Sequence, residues 1–320
     1  MVSHNPPVVK PPALKPGDRA ALVCPASRPE SPAVVNYCAR LLEEMSLRPV
    51  VGKHVLRVHG YMAGTDEERL EDLLSFLQDD SIAAIFCVTG GFGSMRLLPH
   101  VDYGSVASQP KIVVGCDDNT ALLLALNAMS GLVTFYGPNL DQVKTKHSFE
   151  RLKTAVTDAR PPSPVSAATE GDDDVLPAAP YAPVPGRVQG KLIGGNMSAL
   201  VSLLGTPYQP DLQDAVLFLE DINERNDILE RWLTTLYVSG ELATVRGVAF
   251  GEFVNCGPKS SYNTLSLEDL LGERVKRLAI PSCFGLPLGQ SSRMATVPIG
   301  VNVSFDAARG VLEFAEAGVS

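Results

Sequence analysis

The stretch Lys111-Ile112-Val113-Val114-Gly115-Cys116-Asp117-Asp118-Asn119-Thr120 constrains this chain most. A β-branched run ends on a glycine, and polar residues then lead into the apolar helical pattern Ala121-Leu122-Leu123-Leu124-Ala125-Leu126. That order predicts a strand, a tight turn and a helix, the architecture of a nucleophile elbow. The turn presents its tip side chain near the positive end of a helix. The expected tip is Asp117, where an elbow of this kind normally carries Ser or Cys.

The rest of the first half repeats the pattern. Arg19 to Cys24 and Ile82 to Val88 read as buried strands, as do Lys111 to Cys116 and Leu132 to Tyr136. Between the first two lie a helix from Pro32 to Met45, with Ser31 as N-cap, and a helix opened by the capping box Thr65-Asp66-Glu67-Glu68. Strands alternating with helices imply a parallel sheet covered on both faces. Ligands then bind beyond the carboxyl ends of the strands, where Gly90-Gly91-Phe92-Gly93 and Asp117 fall. The expected architecture is α/β, with an N-terminal domain over residues 1–159 and a Pro-rich, acidic linker over 160–187. A C-terminal domain over 188–320 holds Gly194-Gly195-Asn196, strands at Ala215 to Leu219 and Gly247 to Phe253, and helices from about Glu224 to Val238 and Ser266 to Arg277. Glu170 to Asp174 reads as a solvated loop.

With 45% apolar and 20% charged residues, the 320-residue chain is of globular composition. A net charge of −9, with no basic block, argues against a nucleic-acid or anionic-membrane surface. No apolar run reaches the roughly 18 residues that span a bilayer. No signal peptide is apparent, so a cytoplasmic location is expected. The six cysteines form no metal-ligand spacing and read as buried free thiols. No metal or cofactor is expected. The glycine turn at 90–93 lacks the Lys-Ser/Thr of a P-loop and the spacing of a dinucleotide fingerprint.

The motifs in order resemble the LD-carboxypeptidases, the serine peptidase family that includes the microcin C self-immunity peptidases. The markers are Leu14-x-Pro16-Gly17-Asp18, Cys24-Pro25-Ala26-Ser27, Tyr61-Met62-Ala63-Gly64-Thr65-Asp66-x-x-Arg69 and Gly90-Gly91-Phe92-Gly93-x-x-Arg96-Leu97-Leu98. The elbow follows, then Tyr136-Gly137-Pro138, Gly194-Gly195-Asn196, Leu217-Phe218-Leu219-Glu220-Asp221, Glu230-Arg231 and Pro298-Ile299-Gly300. The resemblance implies an N-terminal parallel-sheet α/β domain, a C-terminal domain of swivelling β-barrel character, a site between them and a homodimer. It also implies a Ser–His–Glu triad. Matched position by position, Glu220 is the Glu, Asp117 stands at the Ser and Gln290 at the His. Thr89 stands where an Arg usually precedes the glycine turn.

Gln290 has no proton to exchange near neutral pH, so it cannot act as the imidazole base. A carboxylate attacks an amide only through an anhydride, so peptide hydrolysis is not the expected chemistry. Without the imidazole, Asp117 and Glu220 are expected to face each other across the cavity as a general acid and a general base. The backbone amides near Gly91 and Asp118 would hold an oxyanion. This predicts proton transfer on a small-molecule substrate: enolisation, cyclisation, elimination or decarboxylation. The other readings are a non-catalytic relative that binds a ligand or partner in a regulatory role and, third, a residual LD-carboxypeptidase or amide hydrolase. Gln290, Arg293, Asn196, Phe92 and Cys116 are the remaining candidates for the substrate site. Arg293 would hold a substrate carboxylate and Asn196 would also cap a helix. Cys116 alternates away from the tip and is more simply a core thiol.

Overall fold

The computed structural model describes residues 6–167, 180–257 and 265–320. The first half runs β1 (Arg19–Val23), α1 (Pro32–Glu44), β2 (Arg48–Val51), α2 (Asp66–Gln78), β3 (Ile82–Cys87), α3 (Tyr103–Ser108), β4 (Ile112–Gly115), α4 (Thr120–Ser130), β5 (Thr134–Tyr136) and α5 (Lys146–Thr157). The second half follows with β6 (Val165–Ser166), β7 (Arg187–Asn196), α6 (Met197–Ser202), β8 (Val216–Ile222), α7 (Asn226–Val238), β9 (Gly247–Val254) and α8 (Leu267–Arg277). Four short strands close the chain: β10 (Ser282–Cys283), β11 (Val297–Ile299), β12 (Asn302–Asp306) and β13 (Val311–Phe314).

Two sheets result, as the mixed α/β expectation required. The first has the order β11-β5-β4-β3-β1-β2 and the second β10-β9-β8-β7-β12-β13-β6. β1 to β5 pair in parallel. β11 comes from the far end of the chain and pairs antiparallel with β5, setting Val297 opposite Tyr136. In the second sheet β7, β8, β9 and β10 pair in parallel, and β12, β13 and β6 add antiparallel. This curled mixed sheet answers the barrel-like expectation for the C-terminal half.

Local chemistry explains where the elements begin. α2 opens on the expected capping box: the Thr65 hydroxyl accepts from the Glu68 amide while the Glu68 carboxylate accepts from the Thr65 amide. Ser31 caps α1 by position only, its side chain making no cap hydrogen bond, and Pro32 supplies the preset first helical turn. α4 is buried from Thr120 to Leu126 without a polar stripe. Such a helix has protein on every side, and α4 lies against both β5 and β7, between the two sheets.

Besides α3 and α5, which no sequence expectation marks, three parts of the chain differ from the expected pattern. β2 was missed because Arg-Pro-Val-Val carries almost no alternating signal, and it occupies the sheet edge, where a proline is tolerated. β7 was read only as a glycine turn before a helix, whereas it is a ten-residue strand ending on Asn196. Within 160–187, expected to be a linker, Val165–Ser166 pairs with β13 in the second sheet. The acidic run Glu170 to Asp174 lies outside the described residues.

Candidate functional site

The elbow forms as expected. β4 ends at Gly115, Cys116 is extended, and Asp117 takes φ +59°, a left-handed conformation that is uncommon for a residue with a Cβ. A short 3-10 turn, Asp117 to Asn119, leads into α4. Strain of this kind is held only where neighbours over-determine the backbone, and here they do. Asp118 accepts from the Ser94 amide at 2.7 Å, and the Ser94 hydroxyl donates to the Asp118 carbonyl at 2.6 Å. The Asn119 amide donates to the Thr89 carbonyl and to the Asn139 side chain. The elbow and the 89–94 turn are thus fastened together from both sides.

The carboxylate at the tip points into that turn. Asp117 Oδ2 accepts from the Gly91 amide at 2.8 Å. Burial raises the Asp117 pKa to about 6, opposed by the Gly91 and Asp118 amides and reinforced by the negative charge of Asp118. Gly91 has φ +104°, and a Cβ there would run into the Ser27 side chain. Only glycine turns this amide toward the tip. The Gly91 amide was expected to hold a substrate oxyanion. Instead it is engaged by the side chain beside it.

The 89–93 turn has a brace that the sequence reading overlooked. Arg69 is buried, with its guanidinium donating to the Pro25 carbonyl, to the Gly93 carbonyl at 2.8 Å and to Asp66. Arg96 grips the same Asp66 through two nitrogens at 2.7–2.9 Å. Phe92 stands two-thirds exposed beside the equally exposed Tyr61, with ring centroids 6.0 Å apart.

Glu220 reaches the elbow from the second sheet. β7 and β8 set Asn196 opposite Glu220. The end of β7 docks on the start of α4, with the Asn196 amide donating to the Thr120 hydroxyl at 3.1 Å. A Cβ at Gly195 would lie 2.6 Å from Thr120 Cγ2, so glycine permits this approach of the two sheets. Glu220 is wholly enclosed, and neither carboxylate oxygen has a hydrogen-bond partner of good geometry. Burial holds its pKa well above the carboxylate range. The charges of Asp221 and Asp117 add to this, while Tyr136 and Asn196 lie near enough to oppose it.

Asp117 and Glu220 are therefore close enough to influence one another, but they do not face each other across open space as expected. The reason is packing. Tyr136, at the end of β5, is also fully buried, stacks edge-on against Phe218 at 5.1 Å and keeps its hydroxyl beside Glu220. Its place in Tyr136-Gly137-Pro138 was the one signal that could have marked it.

The other candidates separate. Asn196 is a cap, accepting from the Ala199 amide at 3.1 Å, and it also donates to Asp221 at 3.2 Å. Asp221 has its pKa raised to about 7 by burial. Cys116 is fully buried and its thiol, raised well above its usual pKa by burial and by Asp117, donates to Gln142 at 3.1 Å. It is a core thiol with no open face. Gln290 accepts from Gln142 at 2.6 Å. Arg293 stands near Glu252, whose pKa is raised by burial and held back in part by the Arg293 charge. A cavity of about 500 Å³ on that side is lined by Glu252, Phe284, Leu267 and Ser291, but not by Asp117 or Glu220. Asp141, beside Thr89, was not anticipated; burial raises its pKa, and its charge raises that of Asp117. Among the described residues no group of three or more His, Cys, Asp or Glu side chains could hold a metal ion. No described helix is long and apolar enough to cross a membrane.

The comparisons with known proteins agree with this geometry. Residues 20–137 match the LD-carboxypeptidase N-terminal domain and residues 189–305 the LD-carboxypeptidase C-terminal domain. A probable murein peptide carboxypeptidase of Bacillus subtilis is 36% identical, covering 97% of this chain and 95% of its own. A murein tetrapeptide carboxypeptidase of Pseudomonas aeruginosa is 32% identical over 88% of this chain and 91% of its own. The fold is that of the microcin C7 self-immunity protein MccF solved with aspartyl sulfamoyl adenosine, with a TM-score of 0.84, 24% identity and coverage of 98% and 100%. Both halves matched in order, on a scaffold that carries an elbow at Asp117, place this chain in the LD-carboxypeptidase family.

Proposed function

We propose that this chain has exchanged the serine hydrolysis of its family for proton-transfer chemistry on a small molecule, with Asp117 as the residue that carries it. The single observation behind this reading is the Asp117 carboxyl. It occupies a strained elbow tip, bonds to the Gly91 amide and has a pKa of about 6, where it can give and take a proton near neutrality. Gln290 stands at the base position, and no histidine lies in the C-terminal half of the chain. A Ser–His pair acts as a unit, and losing either member costs roughly 10⁶-fold in rate. Glu220, whose pKa burial raises, lies sealed behind the tip rather than standing as a second open carboxylate. A substrate oxygen reaches the Gly91 amide only by displacing Asp117, or it bonds to the protonated Asp117 directly. The reactions that fit are enolisation, cyclisation, elimination and decarboxylation.

The ligands of relatives support a small molecule. MccF structures hold aspartyl sulfamoyl adenosine and glutamyl sulfamoyl guanosine. One observation favours the alternative of a ligand-binding relative without turnover: the Gly91 amide is already satisfied and Glu220 is sealed. The two readings divide in one experiment. The purified protein is incubated with a metabolite extract, and compounds consumed are followed by mass spectrometry with wild type, Asp117→Asn and Glu220→Gln. Consumption lost in both variants supports the enzyme. Consumption that survives Asp117→Asn excludes Asp117 as the group that carries the chemistry, and retention of a compound without consumption supports the binder.

A further inference from the structure

Three side chains form a directional hydrogen-bond relay beside the elbow. The Cys116 thiol donates to Gln142 Oε1 at 3.1 Å, and Gln142 Nε2 donates to Gln290 Oε1 at 2.6 Å. The direction is set at the thiol. Cys116 is completely buried next to the Asp117 carboxyl, so it stays a protonated thiol and its hydrogen needs an acceptor. Gln142 must therefore turn its oxygen to Cys116 and its nitrogen to Gln290. Gln290 must in turn give its oxygen to Gln142, which leaves its Nε2, a two-proton donor, at the far end of the relay.

That nitrogen is buried and has no acceptor. An unmade buried donor is destabilising, and a core amide would normally relieve that by turning over. Here it cannot turn without facing two donors or two acceptors along the relay. We propose that Gln142 is a positioning residue that fixes Gln290 as a hydrogen-bond donor, so that the small molecule bound at this site offers an acceptor oxygen there: a carbonyl, a carboxamide or a carboxyl. The inference rests on reading the elbow as a small-molecule site and adds the group that the ligand presents. It requires no turnover.

The test inverts the relay. In Gln142→Glu the introduced carboxylate, ionised at mildly alkaline pH, accepts from both neighbours, so Gln290 must turn its Nε2 toward it and present Oε1 instead. Dimethylacetamide, which only accepts, and methylammonium, which only donates, are titrated into full-length protein. The Gln290 side-chain amide resonance, assigned by its loss in Gln290→Glu, is the readout. Wild type should respond to dimethylacetamide, and Gln142→Glu to methylammonium, each preference being about three- to tenfold, the worth of one hydrogen bond. Acidifying Gln142→Glu until the new carboxyl protonates should restore the wild-type preference, as a merely structural role would not. Cys116→Ser keeps the donor and should behave as wild type, which also controls for folding. A wild type that prefers methylammonium, a Gln142→Glu variant that keeps the wild-type preference, or a wild type that responds to neither probe overturns the proposal. Failure of the metabolite experiment leaves this result untouched, since binding alone is read.

Discussion

Asp117 Oδ2 lies 2.8 Å from the Gly91 amide nitrogen and accepts its proton, so the residue at the elbow tip occupies the anion position that the glycine turn creates. A backbone amide aimed at developing charge is the usual source of rate in such a fold. Here its partner is internal and titrates, and the behaviour of the site follows from that pair.

The pair makes stability depend on pH in a definite direction. Asp117 has its folded pKa raised to about 6 against an ordinary carboxylate value near 4 in the unfolded chain. The folded state then binds the extra proton, and stability falls as pH rises from about 4 through about 6. Asp221, raised to about 7, extends the loss upward. Asp117→Asn should flatten the lower part of this profile and stabilise the protein at neutral pH by about 1–3 kcal/mol. Urea unfolding of both proteins across this range measures it; a profile unchanged by the substitution contradicts the assignment.

Much of this was legible in the residues and some was not. The elbow could be read because a β-branched run, a glycine and an apolar helix leave few alternatives, and Asp117 sits at its tip with φ +59°. That Asp117 would turn back onto Gly91 was not legible, because it depends on the φ +104° of a residue 26 positions away. Glu220 was identified by its place in a motif. Its complete burial depends on Tyr136 and Asn196 from two other strands, and no local pattern encodes that. Gln142 carries no pattern at all: it matters only through the neighbours that folding gives it.

Gly91→Ala should destabilise the protein by about 1–3 kcal/mol, since a Cβ at that positive φ meets the Ser27 side chain. It should also move the amide off Asp117 and raise the Asp117 pKa, since that amide favours the ionised form. An infrared titration of the carboxyl, compared with wild type, reads the second effect separately from the first. An unchanged Asp117 titration would show that the amide contact is unimportant.

Arg69 joins the Pro25 and Gly93 carbonyls to Asp66 from a buried position. Arg69→Met leaves those acceptors unmet, and a loss of roughly 3–5 kcal/mol is expected. Hydrogen exchange should speed up in 89–94 before it does so in β4. Exchange that rises evenly over the whole chain would instead indicate a general loss of stability.

Five of the six cysteines are buried, and Cys256 is half-buried. Iodoacetamide should label native protein at Cys256 first, leaving Cys116 unmodified until the chain unfolds, because a buried thiol is both shielded and kept protonated. Mass mapping of the labelled peptides settles the order. Early labelling of Cys116 accompanied by loss of ligand binding would make it a site nucleophile.

If the site has left serine hydrolysis, a murein tetrapeptide should keep its C-terminal residue when incubated with this protein. A murein tetrapeptide carboxypeptidase is among the relatives of this chain, so the same peptide is the fair substrate. Wild type should release none above the uncatalysed background, and Asp117→Ser alone should not restore release, because Gln290 cannot serve as the base. Adding Gln290→His to Asp117→Ser should produce measurable hydrolysis. Release of the C-terminal residue by the wild type that disappears in Asp117→Asn would show that the site still hydrolyses peptides.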